Sequence, residues 1–131
     1  VSAVLVDAPC SATGLGSRRP DILRKAPELD DLLDTQRKLA EHTVDSLLDA
    51  GGIMVYATCS LLKQESEDQM KHILERTDGA EMETIPFVTG EIAGFDDAID
   101  ENGWMRVLPG TLPGALSKCD GFFVARMRRI S

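Results

Sequence analysis

An α/β fold with a parallel βαβ core is predicted by three stretches of the chain. Val4-Leu5-Val6 is an apolar, largely β-branched run that leads into Asp7-Ala8-Pro9-Cys10. This is the pattern of a buried strand halted by a residue that cannot donate to a ladder. Ile53-Met54-Val55-Tyr56-Ala57 is a second such run, and it leads into Thr58-Cys59-Ser60. Between them Leu29, Leu32, Leu33, Ala40, Val44, Leu47 and Leu48 recur at helical spacing along one face, which predicts a long amphipathic helix. A strand, a helix of about six turns and a strand make a right-handed crossover, so the two strands run parallel. Their carboxyl ends then share one rim of the sheet, where open α/β sheets bind ligands. That rim gathers Asp7, Cys10 and Cys59 as the candidate site.

Taken in order, the first strand is expected to be fully buried and to end near Asp7. Ser17-Arg18-Arg19-Pro20-Asp21 is a polar turn, and Arg18, Arg19, Arg24 and Lys25 form the densest basic patch before the C-terminus. It reads as a solvated loop or as a phosphate-contacting loop beside Cys10. Pro27 suits the first turn of the long helix, and Glu28, Asp30 and Asp31 favour the positive end of its dipole. Gly51-Gly52 supplies its left-handed stop, and Gln36 and His42 are placed on its surface or rim.

A second helix is expected over Leu62 to Arg76, burying Leu62, Met70, Ile73 and Leu74 and ending at Gly79. Cys59 and Ser60 fall just before its start, where the dipole would favour a thiolate and depress the Cys59 pKa. Ala80 to Val88 reads as a strand with Glu81 and Glu83 on its exposed side. Thr89 to Asn102 is an acidic, glycine-containing loop, Trp104 to Leu108 a short strand, and Pro109 to Gly114 a turn-rich stretch. Phe122 to Met127 is the last strand. Cys119, in a loop with no supporting residues, reads as inert.

The bulk numbers narrow the function. At 131 residues and 43% hydrophobic content the chain holds one domain's worth of core, or part of a larger one. The start at Val1, almost directly in a buried strand, is expected to mark a piece of a longer protein. No membrane span or signal peptide is expected. Three widely spaced cysteines make no disulfide framework, and with no CxxC pair and no cysteine near His42 or His72 no zinc site is expected. Reduced thiols in a cytoplasmic protein are the default. The formal net charge of -8 argues against a free-standing nucleic-acid binder, but not against an enzyme whose RNA affinity lies elsewhere in its chain. A thiolate beside a carboxylate suits attack on an electron-poor carbon, with an acid/base group gripping the substrate.

Asp7-Ala8-Pro9-Cys10-Ser11-Ala12-Thr13-Gly14 and Ala57-Thr58-Cys59-Ser60 resemble the fourth and sixth motifs of the Fmu/Sun-type RNA cytosine-5 methyltransferases. The likeness extends through Arg19-Pro20-Asp21-Ile22, the helix around Gln36 and the closing Asp120 to Arg126. It implies a Rossmann-like class I methyltransferase half-domain, with a C-terminal antiparallel strand pair beside the parallel core. Residues 1–131 would then be the C-terminal portion of an S-adenosylmethionine-dependent domain, with the cofactor-binding N-terminal half absent.

By the same resemblance Cys59 is the nucleophile that adds to carbon 6 of the target cytosine, and Cys10 assists release of the product. Asp7 sits between cofactor and base, and is the one cofactor-binding residue expected here. The substrate would be ribosomal or transfer RNA, and the exposed strand edge of the piece would invite self-association. Ala12 stands where the family has glycine, and Ser66 follows Glu65 where asparagine is common. Two other functions fit the same rim: a cysteine-dependent hydrolase or redox enzyme, and a non-catalytic RNA-binding relative. The first lacks an activating histidine and a CxxC pair; retention of both cysteines and Asp7 speaks against the second.

Overall fold

The computed structural model describes residues 1–13, 29–110, 112, 114 and 120–131. The basic patch of Arg18, Arg19, Arg24 and Lys25, the helix-opening Pro27 and Cys119 lie outside the described residues.

The first apolar run forms β1 (Ala3–Asp7), and the leucine-rich stretch forms α1 (Leu29–His42). They are followed by β2 (Ile53–Thr58), α2 (Glu67–Glu75), β3 (Met82–Thr84), β4 (Met105–Val107) and β5 (Phe122–Arg129). β1 pairs parallel with β2, with Asp7 opposite Ala57. β5 lies antiparallel along the far side of β2 and carries β3 and β4 end to end on its other edge. The parallel βαβ core and the antiparallel C-terminal pairing are thus both present, and the last strand is an inner strand of the sheet.

α1 does not run straight to Gly51. Thr43 turns its hydroxyl back onto the Leu39 carbonyl at 2.8 Å, a bond that competes with the helical ladder. From Thr43 to Leu47 the chain widens into a π-helical segment, closed by Leu48 N–H on Thr43 O. Gly51 then takes φ 81°, the left-handed turn its missing Cβ permits. The second helix also starts later than its sequence suggests: Lys63–Glu65 form a 3-10 turn, and α2 begins at Glu67.

One face of the sheet is dry. Val6, Met54, Tyr56, Phe123, Ala125 and Met127 point from alternate strand positions onto Ala40, Val44, Met70 and Ile73. Each large side chain buried there contributes about 1.5–3 kcal/mol. The opposite face is covered near β4 by a smaller cluster around Phe87, Met105 and Val107. Over β1 it is open, and here the expectation of a fully buried first strand is corrected. Val6 is buried, but Leu5 is 68% exposed, because among the described residues only one face of β1 meets helices. The run Val4-Leu5-Val6 carries two-sided apolarity that this part of the sheet uses on one side.

Candidate active site

Pro9 ends β1 as expected, one residue after Ala8 N–H makes a last ladder bond to Ala57 O. The parallel register places Cys10 three residues beyond Asp7 and Cys59 two residues beyond its partner Ala57. The two sulfur atoms therefore meet across the rim, 3.3 Å apart, and both thiols are free and half-buried. Asp7 is exposed at the same strand end, and its charge bears on Cys59. In the turn after Cys10, Ala12 holds φ 59°, a left-handed conformation that glycine would adopt without cost.

Below the thiols lies a buried polar cluster. Glu65 is fully enclosed and accepts hydrogen bonds from Ser11 N–H at 2.7 Å, Ser11 Oγ at 2.6 Å and Ser60 Oγ. Gln36, also enclosed, donates to Glu65 at 3.1 Å and to the Pro9 carbonyl at 2.8 Å. Gln69 donates to Gln36 Oε1 and to the Leu33 carbonyl, joining α2 to α1. Tyr56 donates its hydroxyl to the Glu65 carbonyl at 2.8 Å, and burial keeps that phenol well above its usual range. Thr13 Oγ1 accepts from Leu61 N–H, tying the two loops together once more.

The electrostatics correct one expectation about Cys59. Burial, then the hydrogen bond and charge of Cys10, then the carboxylate of Asp7 push its thiol up to about 12. Cys59 is eight residues before α2, separated from it by the 3-10 turn, so the helix dipole does not reach it. The resting thiol is protonated at neutral pH. Alkylation of Cys59 by iodoacetamide is accordingly expected to accelerate about tenfold per pH unit between pH 7 and 10, following the thiolate fraction. Peptide mapping by mass spectrometry reads this directly, and a rate already flat at pH 8 would reveal a primed thiolate.

Residues 1–128 match the family described as 16S rRNA methyltransferase RsmB/F. The chain belongs to that family. Ribosomal RNA small subunit methyltransferase B of Shewanella oneidensis is 39% identical over 126 residues, which are 95% of this chain and 26% of that protein. The crystal structure of PH0851 superposes with a TM-score of 0.77 at 27% identity, covering 98% of this chain and 27% of that one. NSun6 from Pyrococcus horikoshii, solved with SFG, gives a TM-score of 0.68 at 25% identity over 97% of this chain and 29% of that one. The chain therefore spans about a quarter of the length of the curated relatives it matches. The Rossmann-like methyltransferase fold expected from the two motifs is the fold of these neighbours.

In this RsmB/F chain Gln36, expected on the surface or rim of its helix, is buried in the cluster under the thiols. Glu65, which the resemblance marks as the glutamate of the sixth motif without assigning it a task, is enclosed in the same cluster. A signal existed for Gln36. Gln36 lies four residues before Ala40 and eight before Val44, on the buried stripe of α1, where a polar side chain needs a partner. Another residue not expected from the sequence is Arg106 of β4. Its guanidinium pairs with the Glu67 carboxylate, reaches the Ser60 carbonyl and lies 5.1 Å over the Phe123 ring.

Proposed function

We propose that the full-length protein methylates carbon 5 of a cytosine in RNA through a covalent adduct on Cys59. The observation that carries this reading is the pair of thiols 3.3 Å apart at the carboxyl rim of a methyltransferase sheet, beside an exposed carboxylate. Ribosomal RNA is the favoured substrate, because the curated relatives are named for the small ribosomal subunit; transfer RNA is the second candidate. Action in the cytoplasm is part of the same reading. No described helix is long and apolar enough to cross a membrane.

The chemistry asked of this chain is nucleophilic catalysis. Cys59, as thiolate, bonds through Sγ to carbon 6 of the cytosine, and the electron pair of the carbon 5–carbon 6 double bond moves onto carbon 5. Asp7 hydrogen-bonds the amidine edge of the base and holds the ring in place for attack. After carbon 5 has received its methyl group, its hydrogen leaves as a proton and the Sγ–carbon 6 bond breaks. The ring double bond returns and Cys59 is released as thiolate. Cys10, in contact with that sulfur, assists the release. S-adenosylmethionine, when bound, supplies an electrophilic methyl group carried on a sulfonium.

The described residues fit that cofactor through Asp7, whose exposed carboxylate stands at the open end of β1. The groups that would hold its ribose and adenine belong to a preceding half of the domain. Residues 1–131 on their own would then show no turnover and would bind the cofactor weakly, since one solvent-exposed carboxylate contributes little. With Leu5 exposed and β1 at the sheet margin among the described residues, the isolated piece would self-associate along that edge.

The deciding experiment supplies the full-length protein with methyl-labelled S-adenosylmethionine and small-subunit ribosomal RNA. Nuclease digestion is expected to return the label as 5-methylcytidine. Label on another base, or on a ribose, would overturn the reading.

A further inference from the structure

We propose that Glu65 is a positioning residue that sets the spacing of the two thiols by clamping the Cys10 loop to the Cys59 loop. Ser11 follows Cys10 and Ser60 follows Cys59, and both hydroxyls donate to Glu65 Oε2. Ser11 adds its backbone N–H on Oε1 at 2.7 Å, so the main chain next to Cys10 is itself held. One carboxylate thus grips the residue after each thiol.

The clamp is anchored on the β2 side before it reaches across. The Glu65 carbonyl accepts the hydroxyl of Tyr56, a β2 residue, and Glu65 N–H closes onto Leu62 O at 3.2 Å. Gln36 is a third strut: from α1 it binds Glu65 Oε1 and the carbonyl of Pro9, the residue before Cys10. The carboxylate is fully enclosed, and these partners are neutral donors. Enclosing a carboxylate in this way is a poor route to stability, since its desolvation opposes its hydrogen bonds. It is an effective route to a fixed geometry, because each oxygen of the Glu65 carboxylate is held by two donors. The charge of Glu65 does not enter its task, so an amide of the same shape serves. The amide oxygen would keep Ser11 N–H and Gln36, while its NH₂ donates to two hydroxyls turned to accept.

The inference rests on the proposed function only in supposing that thiol spacing matters to turnover, and its test reads the spacing separately. Full-length wild type, Glu65→Ala, Glu65→Gln and Ser11→Ala are treated with diamide, which takes up the two thiol hydrogens as Cys10 and Cys59 join. The disulfide is followed by mass spectrometry, and steady-state methylation of RNA is measured alongside. In folded Glu65→Ala, disulfide formation and kcat are each expected to fall about tenfold or more, with KM for RNA changing less than about threefold, as a lost alignment predicts. Glu65→Gln is expected to restore most of both. Ser11→Ala, which removes one strut, should show a smaller fall of the same kind.

Disulfide formation in Glu65→Ala within about twofold of wild type would overturn the clamp. Should that variant fail to fold, an unchanged rate in Ser11→Ala would do the same. Methylation that survives Cys59→Ser would remove the proposed function while leaving the diamide comparison to decide on Glu65.

Discussion

Replacing Cys59 with serine is expected to lower kcat of the full-length protein by about four orders of magnitude or more, the scale on which loss of a nucleophile acts. A serine hydroxyl at this position would have to ionise beside the Asp7 carboxylate in a half-buried rim, a setting that pushes even the Cys59 thiol up to about 12. Without addition at carbon 6, carbon 5 of cytosine stays too electron-poor to take a methyl group. Cys10→Ser should behave differently. If Cys59 forms the adduct and Cys10 assists release, as proposed, protein–RNA adduct should accumulate as turnover slows. Gel-shifted, denaturant-resistant complex in Cys10→Ser, with none in Cys59→Ser, is the expected pattern. The reverse pattern would exchange the roles of the two cysteines.

Arg106→Ala is expected to cost about 3–5 kcal/mol of folding stability, the range for breaking a buried ion pair by removing one member. The Arg106 and Glu67 side chains are 12% and 10% exposed, so solvent does little to screen the pair. Truncation leaves the Glu67 carboxylate enclosed without its counter-charge, strips the donor from the Ser60 carbonyl and opens the space over Phe123. Arg106→Lys keeps a charge but cannot reproduce the two-pronged contact, and should recover only part of the loss. Urea denaturation measures both variants. A loss in Arg106→Ala below about 1 kcal/mol would place the pair among surface contacts instead.

Much of the rim was legible in the sequence, and the reason is local. β-branched runs, the donor-less Pro9 and the Gly51-Gly52 stop fix where β1 and β2 begin and end, and parallel pairing brings their ends together. That is enough to put Cys10 and Cys59 on one edge. The support beneath them was not legible, because it is made of long-range polar contacts. Glu65 and Gln36 are 29 residues apart, and nothing in the chemistry of either names the other. Only the stripe position of Gln36 hinted at burial.

The protonation of Cys59 was misjudged for a related reason. A thiol a few residues before an apolar helix pattern suggests a dipole contact, but the 3-10 turn Lys63–Glu65 intervenes, and Cys10 and Asp7 dominate its surroundings. The exposure of Leu5 shows the opposite limit. Apolar pattern reports what a strand can bury, while the elements packed against it decide what is buried.

The central claim is that Cys59 bonds to the cytosine, and one measurement addresses it most directly. RNA carrying 5-fluorocytosine at the target position has no hydrogen on carbon 5 to lose, so an adduct that has accepted a methyl group cannot break down. The full-length protein, incubated with that RNA and S-adenosylmethionine, is digested and its peptides are mapped by mass spectrometry. The account predicts a methylated fluorocytosine nucleotide bonded to the Cys59 sulfur. A nucleotide bonded to Cys10, or methyl transfer with no bonded peptide at all, would contradict it.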